Sequence, residues 1–318
     1  MALTKVSTGV VDMSQDTGGL IIAKGTTAQQ PTCTAANLGS IRENTDENKV
    51  EVCTSTGWQF LEEAGPSFIP LTVDYLVIAG GGAGGVIGGG GGAGGFRTSF
   101  GTGNINGGST AVENSLTLAK GIQYAVSVGA KGIATVTPGN SGPGGTSGNG
   151  GNSELSGSGI TTITSTGGGG GGNYPNGVGG SGGSGGGGSS RVSSIAGGSR
   201  VTNPIQGFDG SDNNPVSPYP AGGGGGADAA GNYGNLGYAS GGTALASSIT
   251  GVQVLYAGGG GCGYQSYYSG SVNVSGGGGG ASDGVGSSNA TSATANTGSG
   301  GGGGGFGTNL YYGQGGDG

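Results

Sequence analysis

Residues 75–96 read YLVIAGGGAGGVIGGGGGAGGF, and this stretch decides the fold. Its first five residues are an apolar run of the length and composition typical of a β-strand. The run leads directly into glycine, which is then interrupted only by Ala83, Val86, Ile87 and Ala93. Helix is not expected here, because each glycine inside a helix costs about 1 kcal/mol relative to alanine. The stretch therefore predicts a short strand that enters a different, glycine-specific structure.

The same combination recurs through most of the chain. Of 318 residues, 90 are glycine and 10 are proline, while charged residues make up 8% and hydrophobic residues 31%. An ordinary globular domain is nearer half apolar and a quarter charged, so a helix-rich enzyme core is excluded. Collagen is excluded as well, because the glycines come in blocks and not at every third position. Further strands are predicted at residues 124–128 and 252–256, each beside glycine-rich sequence.

The glycine blocks have two interpretations. Gly/Ser-rich chains can be flexible linkers. Alternatively, the blocks can form polyglycine II helices, which have three residues per turn and no internal hydrogen bonds, and which must bond to one another side by side. The embedded strands favour the bundle, as do the aromatic residues at block edges, which are Phe96, Tyr174, Tyr256, Tyr264 and Phe306. The predicted fold is mainly β and irregular, with a polyglycine II helix bundle, short strands and essentially no α-helix.

The composition changes near residue 65, and this change predicts three regions. We expect an extended N-terminal arm at 1–30, a small β module at 31–65 and a glycine-rich polyglycine II domain with binding loops at 66–318. Within the module, the alternating runs 40–44 and 49–53 flank a turn-forming Thr-Asp-Glu-Asn tetrad, which predicts a β-hairpin. Its predicted inner-face residues are Ile41, Val50 and Val52, beside Trp58 and Phe60.

Cys33 and Cys53 flank this predicted hairpin. They either form a disulfide that closes a short loop, worth about 3 kcal/mol, or are two free thiols. Cys262 lies between glycines and is expected to be a small packed side chain.

Several classes of chemistry are excluded by composition. The chain has no histidine, which removes the commonest general base and metal ligand. Three scattered cysteines do not make a structural zinc site. Residues 80–85 match G-x-G-x-x-G, but neither a helix nor an acid about twenty residues on follows, so no cofactor is expected. The chain is therefore not expected to be an enzyme.

Two further partners are excluded. The sequence pI is near 4.4, and residues 201–318 contain no Lys or Arg, which argues against nucleic acid. No apolar run is long enough to predict membrane insertion.

Glycine-poor segments in the second half are rich in Tyr and Asn. Such residues on loops supply rigid aromatic area and adaptable hydrogen bonds, as in binding surfaces, and they also suit sugars. The alternative is that Tyr only caps a bundle that has few side chains. Asp209 and Asp212 lie in a Gly/Asn/Pro segment, where Asp commonly makes turns. The candidate receptor-binding residues are Phe208, Asp209, Asn213, Asn214, Tyr219, Tyr264, Tyr267, Tyr268, Tyr311 and Tyr312.

Two stretches resemble bacteriophage proteins. Residues 38–58, with Gly39, Ile41-Arg42, Lys49, Glu51 and Gly57-Trp58, resemble a module common in phage tail fibres, although Glu43 stands where that module has an aromatic. Residues 75–96, with 124–132 and the later blocks, resemble the glycine-rich domain of phage fibres and tip adhesins.

The resemblance to T-even-type adhesins implies a polyglycine II sandwich whose loops contact the host surface. It also implies a virion protein made in the host cytoplasm, contacts with other tail proteins, and a homotrimer or homopolymer. We therefore expect a tail fibre or tip adhesin that binds a bacterial glycan or outer-membrane protein. The alternative is a structural protein that self-assembles into filaments, and a third class is ice binding by a flat glycine face.

Overall fold

The computed structural model describes residues 22–61, 71–101, 105–134, 146–217, 219–234, 239–263, 273–285, 290–305 and 313–318. The chain divides into two compact units, Met1–Ile69 and Pro70–Gly318. The predicted class is confirmed, because the described residues form small sheets and irregular segments. Their only helices are two 3₁₀ turns, Thr27–Gln29 and Gly107–Ser109.

The first unit contains a four-stranded sheet in sequential order, formed by β1 (Ala23–Gly25), β2 (Ile41–Asn44), β3 (Lys49–Thr54) and β4 (Gly57–Phe60). The predicted hairpin is confirmed, with β2 and β3 antiparallel and Asn44 opposite Lys49. β1 pairs in parallel with β2, so residues 23–25, which the sequence assigns to an extended arm, are part of the sheet.

The predicted inner face of this hairpin is wrong. Arg42, Asn44 and Glu51 are buried, whereas Ile41 is 47% exposed and lies on the opposite face. Alternation identifies two faces but not which one is covered. Here residues 26–30 cover the polar face, where Arg42 Nε lies 3.2 Å from Glu51 Oε1 and Gln30 donates to Glu51 at 2.7 Å. The buried charges are therefore paired, and Glu51 Oε2 accepts hydrogen bonds from Gln30 and Asn44, whereas Oε1 accepts none from the described part of the chain.

Cys33 and Cys53 are joined in this unit as a disulfide, with their Cα atoms 5.6 Å apart. Of the two interpretations that the sequence leaves open, this corresponds to the bridged one. Cys262 is the free, buried cysteine of the other unit.

The second unit is a bundle of extended glycine-rich segments, and most of its short antiparallel strands lie at one end, which we call the strand end. The pair formed by residues 273–274 and 284–285 lies toward the other end, where Val274 packs with Ala221 and Cys262. The predicted strands at 75–79, 124–128 and 252–256 correspond to β6, β11 and β15, each slightly shorter than predicted. The strands of this unit are β5 (Leu71–Val73), β6 (Leu76–Ile78), β7 (Phe96–Thr98), β8 (Ile105–Asn106), β9 (Thr110–Ala111), β10 (Leu116–Leu118), β11 (Tyr124–Ser127), β12 (Ser153–Gly157), β13 (Ile163–Ser165), β14 (Leu245–Ser247), β15 (Val254–Tyr256), β16 (Asn273–Val274) and β17 (Gly284–Val285). They pair as β5–β10, β6–β7, β8–β9, β11–β12–β13, β14–β15 and β16–β17.

Hydrogen bonds between glycine segments repeat every three residues. Along residues 88–95, the N–H groups of Gly88, Gly91 and Gly94 donate to the segment 298–304. Those of Gly89, Gly92 and Gly95 donate to 166–173, and the third set donates to 220–227. Its carbonyls accept from 79–86, 183–190 and 257–263. One segment thus contacts neighbours on all sides with the three-residue period of polyglycine II.

Only glycine permits this separation between segments. A Cβ on Gly91 would lie 2.1 Å from the carbonyl oxygen of Gly82, and one on Gly169 would lie 1.8 Å from that of Gly180. The larger apolar residues are therefore confined to the segment ends. At the strand end, Phe96 and Leu245 form a buried cluster with Ala93, Ala227 and Ala257.

Candidate functional site

Several connections between glycine segments lie at the end of the bundle opposite most of the strands, and we call it the loop end. Its described residues are 86–87, 173–177, 190–195, 213–217 and 219–220, which hydrogen bonds join. Val86 N–H donates to Asn173 Oδ1 at 2.8 Å, and Tyr174 N–H donates to the Val86 carbonyl at 2.9 Å. The segments that carry these loops run antiparallel, so alternate connections must return to this end.

Asn213 is buried at the loop end and is fully hydrogen-bonded. Its Oδ1 accepts from Ile195 N–H at 2.6 Å, and its Nδ2 donates to the carbonyls of Arg191 and Ser193 at 2.8 and 3.0 Å. With none of its surface exposed, its amide holds the 191–195 loop and does not face solvent.

Asn214 and Tyr219 hold the neighbouring loop. Asn214 Nδ2 donates to the Gly234 carbonyl at 2.6 Å, and its Oδ1 accepts from Val216 N–H at 3.0 Å. Tyr219 is half-buried with φ 56°, and its carbonyl accepts a hydrogen bond from the Ser190 hydroxyl. Both residues therefore stabilise the loops.

The described loop end exposes both aliphatic and polar side chains, and the polar ones are Asn176, Ser193, Ser194 and Ser217. Val192 is 64% exposed, Val216 is 67% exposed and Val178, one residue beyond the 173–177 loop, is 52% exposed. Arg191 precedes Val192 in the chain, and its Nη1 donates to the Pro175 carbonyl at 3.2 Å. The sequence prediction missed these residues, because valine and a single arginine carry no binding motif.

Phe208 and Asp209 lie on the flank of the bundle, toward the strands. The Arg200 guanidinium lies 5.3 Å from the centre of the Phe208 ring, and Asp209 Oδ1 accepts from Arg200 N–H at 2.7 Å. Three residues later, Asp212 Oδ1 accepts from Gly197 N–H at 2.9 Å. These carboxylates accept from backbone N–H groups that would otherwise donate to the carbonyls of a further glycine segment. Asp209 and Asp212 therefore terminate the lattice edge, which differs from the turn role that their composition suggests.

A family model described as a glycine-rich domain matches residues 65–318. This range covers most of the chain. The chain belongs to the glycine-rich domain family. Comparisons with curated proteins and with solved structures find no match.

The remaining candidate residues of the glycine-rich domain, Tyr264, Tyr267, Tyr268, Tyr311 and Tyr312, lie outside the described residues. The structure brings Asn213, Asn214 and Tyr219 together at the loop end, and it places Phe208 and Asp209 apart from them.

A second polar cluster of the glycine-rich domain lies among the strands. Arg97 Nε and Nη2 bond the two oxygens of Glu113 at 2.7 and 2.5 Å, and Tyr75 and Asn106 donate to the same carboxylate at 2.8 and 3.0 Å. Burial raises the pKa of Glu113, but the hydrogen bonds from Arg97, Tyr75 and Asn106 outweigh it, so that the net shift is downward. Burial and the bond to Glu113 raise the pKa of Tyr75. With all of these donors and acceptors paired, the cluster is structural.

Two features are absent from the described ranges of the glycine-rich domain and the sheet. No group of three or more Cys, Asp or Glu side chains there could hold a metal ion. No helix there has the length and apolar character needed to cross a membrane.

Proposed function

We propose that this protein is a bacteriophage tail-fibre or tip adhesin that binds a bacterial surface receptor through the loop end of its glycine-rich domain. The observation that carries the proposal is the architecture itself. Neighbouring segments of the bundle are bonded every three residues, and the loops of the loop end are bonded to this framework and to one another. Binding surfaces gain from such rigid support, because the loops are ordered before the partner arrives.

The surface composition supports this proposal. Exposed apolar residues that cluster on a soluble protein commonly mark interaction sites. The loop end exposes Val192 and Val216 among polar residues, with half-buried Tyr219 and one arginine. The amides of Asn213 and Asn214 hold the loops. The receptor is a bacterial glycan or an outer-membrane protein, and virion location and contacts with other tail proteins belong to the same proposal.

The lattice edges bear on the alternative, a filament that grows by lateral addition of glycine segments. Such growth needs unpaired N–H groups at the bundle flank. At the flank described above, Asp209 and Asp212 accept hydrogen bonds from two such N–H groups. Asn149 and Asn152 do the same for the N–H groups of Gly170 and Gly167. Electron microscopy of the purified protein tests this alternative, and filaments would favour it over the adhesin.

The test of the adhesin proposal is binding of fluorescently labelled protein to a panel of bacterial strains, with strains that bind chosen for competition against phage adsorption. The double variant Val192→Ser/Val216→Ser is expected to lose at least 10-fold in binding, because removing a few anchor contacts costs above about 1 kcal/mol each. The matched control is Val126→Ser/Val128→Ser, which changes two equally exposed valines (71% and 64%) at the strand end. Binding that is reduced equally by both variants, or by neither, would contradict the proposal.

A further inference from the structure

Arg191 differs from the other arginines in its partners. Arg42 is paired with Glu51, Arg97 with Glu113, and Arg200 lies over the Phe208 ring. Among the described residues, Arg191 has neither a carboxylate nor an aromatic ring against its guanidinium. Its one hydrogen bond there, from Nη1 to the Pro175 carbonyl, leaves Nε and Nη2 available.

Hydrogen bonds hold the backbone of Arg191 in place, although its side chain keeps free donors. The buried Asn213 bonds its carbonyl and that of Ser193, and the same amide accepts from Ile195 N–H. The loop is therefore fixed on both sides of Val192, and the Pro175 carbonyl orients the guanidinium. A positioned guanidinium with free donors is the group best suited to a carboxylate or another planar anion.

The charge distribution makes this position unusual. The chain carries a net charge of −7 and has nine basic residues, none of them after Arg200. An acidic protein without a positive group at its binding end would repel an anionic partner. The exposed Val192, which follows Arg191 in the chain, and Val216 on the same end of the bundle add apolar area, which suits aliphatic side chains of a protein better than the hydroxyls of a sugar.

We infer that Arg191, positioned by Asn213, binds a carboxylate of an acidic peptide segment in which the acid stands next to aliphatic residues. This inference rests on the proposed function, because it names the chemistry of the partner that the loop end takes. Asn213 is a positioning residue, since it acts through the 191–195 loop and contacts no partner.

The probe is a display library of random 12-residue peptides, selected on full-length protein and on Arg191→Gln. Wild type is expected to enrich peptides with Asp or Glu beside Val, Leu or Ile. Arg191→Gln is expected to bind the enriched peptides about 10- to 100-fold more weakly, as for loss of a charge-assisted hydrogen bond. The control is Lys131→Gln, which removes an exposed basic side chain outside the loop end and is expected to bind as wild type does.

Asn213→Ala and Asn213→Asp test the positioning role. Asn213→Asp keeps the acceptor for Ile195 N–H but sets a buried carboxylate oxygen against the carbonyls of Arg191 and Ser193, so it is expected to weaken binding at least as much as Asn213→Ala does. Amide exchange of residues 191–195 is expected to rise in both variants, while the exchange of residues 88–95 stays slow. Unchanged exchange of the loop in Asn213→Ala would overturn the positioning role, whatever the peptide affinity.

Two outcomes overturn the inference about Arg191. One is enrichment of peptides without acids, or no loss with Arg191→Gln. The other is binding to an array of acidic bacterial polysaccharides in place of any peptide. The proposed function is judged separately by the strain panel, so acidic peptides bound without binding to any bacterium would count against the adhesin and not against this inference.

Discussion

The close packing of the glycine segments gives the most direct prediction, which is that Gly91→Ala destabilises the bundle far more than an alanine at its edge. Gly91 lies in the segment 88–95, where its N–H donates to the Gly301 carbonyl at 2.8 Å and its carbonyl accepts from Gly260 N–H at 2.9 Å. An added Cβ would lie 2.1 Å from the Gly82 oxygen and 2.7 Å from the Gly82 carbonyl carbon. Relieving this overlap requires the two segments to separate by more than about 1 Å, since non-bonded carbon contacts lie near 3.5 Å.

The size of the effect follows from that separation. A hydrogen bond lengthened by about 1 Å is lost, and each one contributes roughly 1 kcal/mol net. Two or three bonds around Gly91 are affected, with an overpacking cost of about 1–3 kcal/mol. The alanine also stabilises the folded state by about 0.4–1 kcal/mol, because it lowers the conformational entropy of the unfolded chain. We expect a net loss of about 2–5 kcal/mol in the free energy of unfolding.

The assay is denaturant unfolding followed by amide exchange of the glycine segments. The matched control is Gly151→Ala, whose Cβ would have its nearest atom, the Ala130 nitrogen, at 3.0 Å, a contact that a small shift relieves. It is expected to change stability by less than about 1 kcal/mol. Equal stability of Gly91→Ala, Gly151→Ala and wild type would refute the packing argument, since it would mean that the segments are not held at these separations.

Three further predictions address the charged and sulphur-containing residues. Glu113→Gln is expected to cost about 3–5 kcal/mol, because it leaves Arg97 half-buried without its counter-ion. The pKa of Glu113 is lower in the folded protein than in the unfolded chain. Its contribution to stability is therefore complete above the unfolded pKa of about 4.3 and is lost as the pH falls through the folded pKa. If Glu113→Gln lost as much stability on acidification as wild type, this reasoning would be contradicted. Asp209→Ala/Asp212→Ala is expected to raise the exchange rates of the Arg200 and Gly197 amides and to cost about 1 kcal/mol per lost bond, whereas Asp228→Ala should leave both amides protected. Cys33→Ser/Cys53→Ser is expected to lower the unfolding temperature of the sheet unit, as for loss of about 3 kcal/mol, and peptide mass spectrometry without reductant should find the wild-type pair linked; two free thiols would contradict the disulfide.

Much of the fold is predictable from the sequence, because it depends on local chemistry. The apolar runs at 75–79, 124–128 and 252–256 become strands. Helix is absent from the glycine segments of the described chain, as their composition requires. Segment-to-segment bonding follows from the fact that an extended glycine chain has nowhere else to place its N–H and C=O groups.

The neighbours of each segment are not predictable in this way. Consecutive glycines carry no pattern that distinguishes one partner segment from another, so the order of the bundle depends on sparse non-glycine residues. The buried face of the first sheet failed as a prediction for a related reason. Arg42 and Glu51 neutralise each other once residues 26–30 cover them, and this pairing depends on a contact that is remote in sequence.

At the candidate site, the sequence also does not predict what the asparagine side chains bond to. Asn213 and Asn214 were identified from composition as binding residues, and the structure does place them at the loop end, but with their side chains bonded to backbone. In a bundle whose interior has few side chains, a loop can be held only by the polar residues at its own base. Composition therefore points to the end of the domain that we propose as the binding end, while the exposed residues there are the ones beside the amides.

One signal at the bundle edge is readable from sequence once the three-residue period is known. Asp209 and Asp212 are three residues apart and accept from Arg200 and Gly197, which are also three apart. Asn149 and Asn152 repeat the arrangement with Gly170 and Gly167. Since three residues make one turn, such a pair places two acceptors on one side of a segment, where the lattice has no further neighbour. Asp or Asn at i and i+3 within glycine-rich sequence thus indicates an edge segment, whereas uninterrupted glycine such as residues 88–92 indicates a position inside the bundle.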